Sequence, residues 1–574
     1  MDTDFKNAFA AGLERVTAWS DVLDDINVFP VADGDTGRNL ILSLSPLRQL
    51  GINPERTVQA LLFSARGNSG NIAARFFSGF LKADSFESLP EAASTGRELA
   101  WKAVHEPVPG TMLTVFDALA EFVLHRKIED DNEAVWNLID HLADATLETI
   151  ELLPKLKQAG VVDAGALGMF IYLEGFFKGL IDRLEDVYPI SDVFKNVLQI
   201  STTFQQENEK GYCVDTVVRI DSEVDEAEKI DRLTELGESV VIIPERDYFK
   251  VHLHTDDIAG VKERIESIGN VVRWANDDIG LQIKDFKQKH KSNAIHVMTD
   301  AAGSITREDA RRLGITLMDS YITAGDRSLP ETLFSPEELY GAMRNGLKVS
   351  TSQASDFERH QHYRRILDQY PRILYLCVGS VYTGNYAVAR QWKQMNDPDN
   401  RLTVLDTTAA SGRLGTVAIA TAKYAAQADD PKMVIDFAHR AIKNCEEYIF
   451  LDRLKYLAAG GRLSKKSAFL GDMLHLKPVV SPTAEGAIKV GGVRNRNGQL
   501  RFALDRLEKK IAKKSAPFIM LEYSDNRTWV AEAVQSEITC RFPFAEVILQ
   551  PLSLTSGAHM GPGTWAVAFM PELV

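Results

Sequence analysis

A chain of 574 residues with 45% hydrophobic and 25% charged side chains has an ordinary globular composition and is long enough for roughly three or four domains, each with its own core. A formal net charge of −15 excludes broad electrostatic binding of nucleic acid, which requires a basic surface to displace counterions. Four cysteines (Cys213, Cys377, Cys445, Cys540) fall at no framework spacing, which points to a reducing, cytoplasmic setting.

The opening stretch MDTDFKNAFAAGLERV is acidic and amphipathic, unlike a secretory leader. Residues 1–190 read as helix after helix: Val58, Leu61, Leu62 and Ala65 recur at helical spacing, as do Val135, Leu138, Ile139 and Leu142. The most apolar window, Ala164–Ile181, is broken by Glu174 and Lys178. It is too short and too interrupted to span a bilayer, so no stable membrane insertion is expected. Between 195 and 288 the pattern turns to alternation, predicting strands at Tyr212–Ile220, Glu238–Pro244 and Tyr248–His254. The basic run Lys287-Gln288-Lys289-His290-Lys291 reads as a linker. From 292 to 574 helices alternate with strands at Ala294–Asp300, Ile373–Val378, Thr403–Asp406, Phe518–Tyr523 and Trp565–Phe569, an α/β pattern. The expected fold class is therefore multidomain: an all-α domain over 1–190, a small α+β middle domain over 195–288 and a C-terminal α/β domain over 292–574.

The sharpest local signal is Asn27-Val-Phe-Pro-Val-Ala-Asp33-Gly34-Asp35-Thr36-Gly37-Arg38-Asn39. Two aspartates flanking a glycine can converge on one hard cation, and glycines let backbone approach phosphate closely. Asp-Gly is also common turn chemistry, which leaves a plain surface turn open. Next, Ala65-Arg66-Gly67-Asn68-Ser69-Gly70 precedes a helical run over Ile72–Phe80. A turn of this kind aims free N–H groups at an anion; an ordinary serine N-cap is the alternative. Gly110-Thr111-Met112-Leu113-Thr114 and Val161-Val162-Asp163-Ala164-Gly165-Ala166-Leu167-Gly168 follow, each weak by itself.

In this order and spacing the four segments resemble the helical ATP-binding domain of the dihydroxyacetone kinase family, and more closely FakA, the kinase component of bacterial fatty acid kinase, over about residues 1–180. The resemblance implies a helical-barrel domain that binds ATP with two magnesium ions. Asn27, Asp33 and Asp35 would hold magnesium and serve catalysis. Gly34, Thr36, Gly37, Asn39, Arg66, Gly67, Asn68, Ser69 and Gly70 would surround the phosphates, and Thr111, Met112, Asp163 and Gly165 would lie near the nucleotide. Ala32 and Arg38 depart from the family's Pro and Thr without removing a metal ligand, and Arg38 is read as a solvated side chain rather than an added phosphate contact.

In the middle region, Val251-His252-Leu253-His254 alternates so that both imidazoles share one strand face, and Cys213 and Asp215 share a face of another strand. Cys plus two His suits zinc, with Asp215 or water completing a tetrahedron; two polar strand residues beside a buried thiol is the competing reading. The stretches around Cys213, His252 and His254 resemble the FakA middle domain, which implies a structural zinc site. By contrast, His360-Gln361-His362 lies in a predicted helix, where i and i+2 diverge, and reads as solvated surface.

Three Ser/Thr/Gly-rich loops mark the C-terminal region: Ser350–Ser355, Gly379–Asn385 and Asp406–Gly412. Hydroxyls and helix N-termini at the carboxyl ends of strands make an anion site, although ordinary helix capping explains any one of them. Gly460-Gly461-Arg462, His475-Leu-Lys477-Pro478 and Ala558-His559-Met560-Gly561-Pro562-Gly563 follow. Together these resemble the DegV family, whose FakB members bind one fatty acid and present its carboxylate to FakA. The resemblance implies that Thr351, Ser352, Thr383, Gly384, Asn385, Arg462 and His559 bind the substrate head group. The family's opening TDS-x-x-DL is Thr299-Asp300-Ala301-Ala302-Gly303-Ser304-Ile305, so a Ser and an Asp are missing.

What the two resemblances imply jointly is a fatty acid kinase fused to its own lipid carrier. It would phosphorylate a bound fatty acid carboxylate to an acyl phosphate for a downstream acyltransferase, working as a homodimer. Two competitors stay open: a kinase for dihydroxyacetone or another small carbonyl compound, and a DegV-type lipid carrier or sensor with an inactive kinase domain.

Overall fold

The computed structural model describes residues 3–51, 53–126, 128, 132–205, 211–220, 226–286, 293–459, 476–512 and 514–572. It divides into two compact units: residues 1–289 with 357–365, and residues 290–356 with 366–574. No helix among the described residues is long and apolar enough to cross a membrane.

The first unit opens with helices α1 (Thr3–Asp25), α2 (Thr36–Leu44), α3 (Pro54–Ser64), α4 (Gly67–Phe80), α5 (Leu89–Ala103), α6 (Met112–His125), α7 (Asn132–Leu152), α8 (Pro154–Ala159) and α9 (Ala164–Leu180). Their apolar stripes converge on one core. Its centre is aromatic: Phe9 meets Phe176 edge-on at 4.8 Å between centroids, and Phe76 stacks on Phe116 at 3.9 Å. Helix α9 is apolar on nearly every side and lies fully inside the bundle, which accounts for the long apolar window in the sequence.

The middle domain is an antiparallel sheet of β1 (Tyr212–Arg219), β2 (Glu238–Glu245), β3 (Tyr248–Thr255) and β4 (Asn270–Asp278), in the order β2-β3-β1-β4. Val214, Val218, Val251 and Leu253 form one face with Val261 and Ile265 of helix Ile258–Ile268. The pleat sends Cys213, Asp215, Lys250, His252 and His254 to the opposite face. Pairing sets Cys213 against His254 and Asp215 against His252. On that face Val241 and Ile243 pack on Leu62 and Ala103 of the helical domain.

The second unit holds a parallel sheet of β5 (His296–Asp300), β6 (Ile315–Met318), β10 (Ile373–Cys377) and β11 (Leu402–Asp406), ordered β11-β10-β5-β6. A three-stranded sheet comprises β7 (Ser320–Ala324), β8 (Arg327–Pro330) and β9 (Val349–Gln353). A six-stranded sheet, β14-β13-β12-β17-β15-β16, is built from β12 (Glu446–Phe450), β13 (Lys477–Thr483), β14 (Gly486–Val493), β15 (Phe518–Tyr523), β16 (Glu546–Pro551) and β17 (Trp565–Met570). Helix Ser411–Ala425 joins the parallel and six-stranded sheets: Leu414 and Val417 share a core with Leu374, Leu376, Met520 and Ala568.

Two sequence expectations change. Ser350–Gln353 is not loop but most of strand β9, with Thr351 paired to Ile322; β-branched threonine suits a pleated strand, and the polar alternation fits its half-exposed face. Gln361 and His362 lie on helix Asp356–Gln369 as expected but are buried, 2% and 7% exposed, so they are packed polar groups rather than solvated surface. The basic linker Lys287–Lys291 lies outside the described residues.

Candidate functional site

The acidic loop joins α1 to α2. Gly34 takes a left-handed φ of +64°, which lets the chain reverse between Asp33 and Asp35. Asp35 sits at the N-cap of α2 without capping it. That task falls to Asp24 of α1, whose Oδ1 accepts the Gly37 N–H at 2.7 Å and the Arg38 N–H at 3.3 Å. Arg38 is therefore not a loose surface group: its guanidinium faces Asp24 Oδ2 at 3.3 Å and donates to the Gly34 carbonyl at 2.9 Å. Asn27 Nδ2 donates to Asp33 Oδ1 at 2.6 Å, orienting that carboxylate. Burial and the adjacent Asp35 push the Asp33 carboxyl well above the usual range, because two close carboxylates resist joint ionisation without a cation. An oxygen-rich pair of this kind fits a hard divalent ion.

The second segment begins α4. Gly67, Asn68 and Ser69 form its first turn, after Arg66 at the N-cap. Gly70 and Gly67 are packing glycines: a Cβ at Gly70 would overlap Ser43 Oγ, and one at Gly67 would overlap the Asn39 amide. Ser43 Oγ also accepts the Arg66 N–H at 2.9 Å. Arg66 offers no capping side chain; the Gly67 N–H instead donates to Asp215 Oδ2 of the middle sheet at 2.9 Å.

The third and fourth segments are also helix starts. Thr111 caps α6 by accepting the Leu113 N–H at 3.4 Å, and Asp163 caps α9 by accepting the Ala166 N–H at 2.7 Å. Burial raises the Asp163 carboxyl to about 7. These starts, with those of α2 and α4, border one cavity of about 630 Å³ within the first unit. Asn27, Asp33, Asp35, Thr36, Gly67, Asn68, Ser69, Thr111, Met112, Asp163 and Gly165 all line it. Four helix N-termini around one cavity present N–H groups and positive dipole ends to an anion. Gly34, Gly37, Asn39, Arg66 and Gly70 are not among its lining residues and support the wall instead.

Cys213, His252 and His254 line the same cavity. Their candidate ligand atoms lie within 4.8 Å of one another. Burial and then His252 lower His254 to about 3, so it stays neutral. His252 Nε2 is buried with no hydrogen-bond partner among the described residues. A thiol, two imidazoles and an orphaned nitrogen suit a borderline-soft ion such as zinc. Asp215 does not complete that set: its oxygens take Lys250 Nζ at 2.8 Å, Asn71 Nδ2 at 3.0 Å and the Gly67 N–H. The trio thus borders the same cavity as the acidic loop and the start of α4. Asp24 and Asp215 are the contributors that motif reading gives no role at the acidic loop and the Gly67–Gly70 turn, since each acts across a gap in sequence.

A second cavity, about 310 Å³, lies in the second unit. Its lining includes the polar Thr351, Ser352, Thr383 and His559 and the apolar Ile449, Leu457, Val480 and Met560. Thr351 Oγ1 and His559 Nε2 are 3.1 Å apart. Gly384 and Asn385 are not among the lining residues; Asn385 donates to Asp300 Oδ1 at 2.7 Å, beneath the loop. Asp300 also accepts the Tyr375 hydroxyl and the Val378 N–H, so this strand-end aspartate anchors the loop. Arg462 lies outside the described residues.

Three family models match successive parts of the chain: the DAK2 domain over residues 30–178, the FakA-like middle domain of fatty acid kinase over 209–286, and the uncharacterised DegV family over 294–572. The chain is 31% identical over 320 residues to protein YloV of Bacillus subtilis, covering 50% of this chain and 56% of that protein. It is 30% identical over 319 residues to an uncharacterized protein of Staphylococcus epidermidis, covering 50% and 55%. The chain thus spans about half the length of these curated relatives. Similar solved structures include a fatty-acid-binding DegV family protein from Thermus thermophilus (23% identical, 48% of this chain and 99% of that one, TM-score 0.45) and DegV, a fatty acid binding protein from Bacillus subtilis (20%, 49% and 99%, TM-score 0.44).

Proposed function

We propose that this chain, which joins a DAK2 domain, a FakA-like middle domain and a DegV-family domain, is a self-contained fatty acid kinase. The observation that carries the reading is that one polypeptide holds both a cavity of clustered helix N-termini with paired aspartates and a separate cavity lined by hydroxyl and imidazole groups together with apolar side chains. The first suits the phosphates of ATP. The second suits a fatty acid, whose carboxylate matches the hydroxyl and imidazole groups and whose chain matches the apolar side chains.

In this reading Thr351, Thr383 and His559 hold the fatty acid carboxylate. That group is ionised at neutral pH and needs no general base. One of its oxygens attacks the γ-phosphorus of ATP; the bond from that phosphorus to the β,γ-bridging oxygen breaks, giving an acyl phosphate and ADP. Repulsion between the two anions is the barrier. Asn27, Asp33 and Asp35 would hold magnesium, which when bound would supply counter-charge to the transferring phosphate. The N–H groups of Asn68 and Ser69 and the starts of α6 and α9 stabilise the charge that develops. Keeping the product in an apolar pocket protects a mixed anhydride from water, and covalent fusion raises the local concentration of the lipid domain at the kinase. A cytoplasmic homodimer feeding an acyltransferase completes the proposal.

The test is ADP release by the purified chain. Release that depends on added fatty acid and saturates with it supports the kinase. Release stimulated by dihydroxyacetone and not by fatty acid would assign the small-carbonyl alternative.

A further inference from the structure

The start of α4 carries the phosphate-facing turn, yet its N-cap residue supplies no side-chain cap. Gly67 has φ +59°, and Arg66 in the N-cap place has no oxygen to offer the first turn. The cap comes from the middle sheet, 148 residues along the chain. Asp215 Oδ2 accepts the Gly67 N–H at 2.9 Å, and Oδ1 accepts Asn71 Nδ2 at 3.0 Å one turn further into α4. On its other side the same carboxylate meets Lys250 Nζ at 2.8 Å and His252 Nδ1 at 3.4 Å.

A buried Asp–Lys pair alone is a common structural device. Here two of these partners belong to a helix of another domain, and that helix start borders the cavity. Asp215 is 5% exposed, so its negative charge is held by these groups rather than by water. A carboxylate that caps a helix accepts stronger hydrogen bonds than a neutral cap.

We infer that Asp215 is a positioning residue for phosphate binding: it fixes the Gly67–Ser69 turn and the His252 ring as one unit, so that the middle domain sets the geometry of the phosphate wall. The inference rests on the kinase reading for its ligand, while its structural part can be read without nucleotide.

Three forms of the full chain test it: wild type, Lys250→Met, and Asp215→Ala with Lys250→Met, alanine offering the Gly67 N–H no acceptor. The double variant removes both buried charges together, which avoids stranding Lys250 and guards against simple unfolding. Melting temperature verifies the fold of each. Amide hydrogen exchange over Gly67–Asn71 is expected to quicken at least tenfold in the double variant and to stay near wild type in Lys250→Met. The Kd for Mg-ADP, measured by calorimetry, is expected to rise about tenfold between the same two variants, with the KM for ATP rising alongside. Unchanged exchange and unchanged Mg-ADP affinity in a folded double variant overturn the inference. Quickened exchange in a chain whose wild type binds no Mg-ADP overturns the kinase reading and with it the ligand assigned to Asp215, while the helix cap itself is upheld.

Discussion

Thr351 on β9 and His559 on the helix Leu554–Met560 lie 208 residues apart in sequence, and their Oγ1 and Nε2 atoms stand 3.1 Å apart in the lining of the second cavity. A hydroxyl and an imidazole so placed can both point N–H or O–H donors at one carboxylate. Thr351→Val keeps the shape and removes the hydroxyl. Loss of one hydrogen bond to a charged group costs about 1.5–3 kcal/mol. Fatty acid affinity, followed by displacement of a fluorescent fatty acid, is expected to fall at least tenfold. Affinity equal to wild type would remove Thr351 from the head-group site.

Asp24 was invisible to motif reading because it lies outside the acidic loop, yet it caps α2 and anchors Arg38. Asp24→Ala is expected to lower stability by about 1–2 kcal/mol, the range for a lost cap, in urea unfolding of the full chain. Magnesium-dependent ATP affinity should fall with it, because the loop bearing Asp33 and Asp35 loses its footing. A variant with full stability and full affinity contradicts this.

Gly70 tests packing against propensity. Alanine in a helix interior is favoured over glycine by about 1 kcal/mol, but a Cβ here would run into Ser43 Oγ, which also holds the Arg66 N–H. Overpacking costs about 1–3 kcal/mol, so Gly70→Ala is expected to destabilise and to weaken nucleotide binding. Adding Ser43→Ala should recover part of the stability, since the Asn39 carbonyl and the residue-43 Cβ still stand 3.0 Å from the added methyl, and should not restore nucleotide affinity, since the Arg66 contact stays lost. Thermal melts and Mg-ADP titrations of the two variants distinguish these effects.

How far the sequence alone could reach follows from where each contact lies along the chain. The acidic loop, the Gly67–Gly70 turn and the helix starts at Thr111 and Asp163 are each contiguous, so local chemistry made them legible. Period-two alternation puts His252 and His254 on one strand face and Cys213 and Asp215 on one face of another; that the two meet comes from the resemblance, and the structure pairs the strands. Asp215 was legible as a strand-face residue but not as the cap of α4, because nothing local says which distant N–H a buried carboxylate will meet. Thr351 and Ser352 were read as loop for being polar, whereas pairing with β7 made them strand. Asn385 was assigned to the ligand by resemblance, and the structure commits it to Asp300. Gln361 and His362 show that a polar helical face can still be buried.

The Asp163 carboxyl gives a pH signature. Its ordinary value is 3.8 and burial raises it to about 7. With the folded value above the unfolded one, the neutral acid favours the folded state at low pH, and that advantage is lost as pH climbs towards the folded value. The loss levels off above it and amounts to about 2–3 kcal/mol between roughly pH 5 and 7. Asp163→Asn keeps the cap on Ala166, since asparagine is an equally good N-cap, and cannot ionise. The variant is expected to gain on wild type across that range, measured by denaturant unfolding at each pH. Parallel pH curves for the two proteins would contradict the assignment.

The central claim is that one chain both holds and phosphorylates the fatty acid. The most direct measurement incubates the purified chain with oleate, Mg-ATP and hydroxylamine, and quantifies acyl hydroxamate by mass spectrometry with no second protein added. The account predicts hydroxamate in proportion to ADP, its loss in Asp35→Ala, and its reduction in Thr351→Val. Lipid bound without any ATP-dependent hydroxamate would contradict it and make the chain a carrier or sensor.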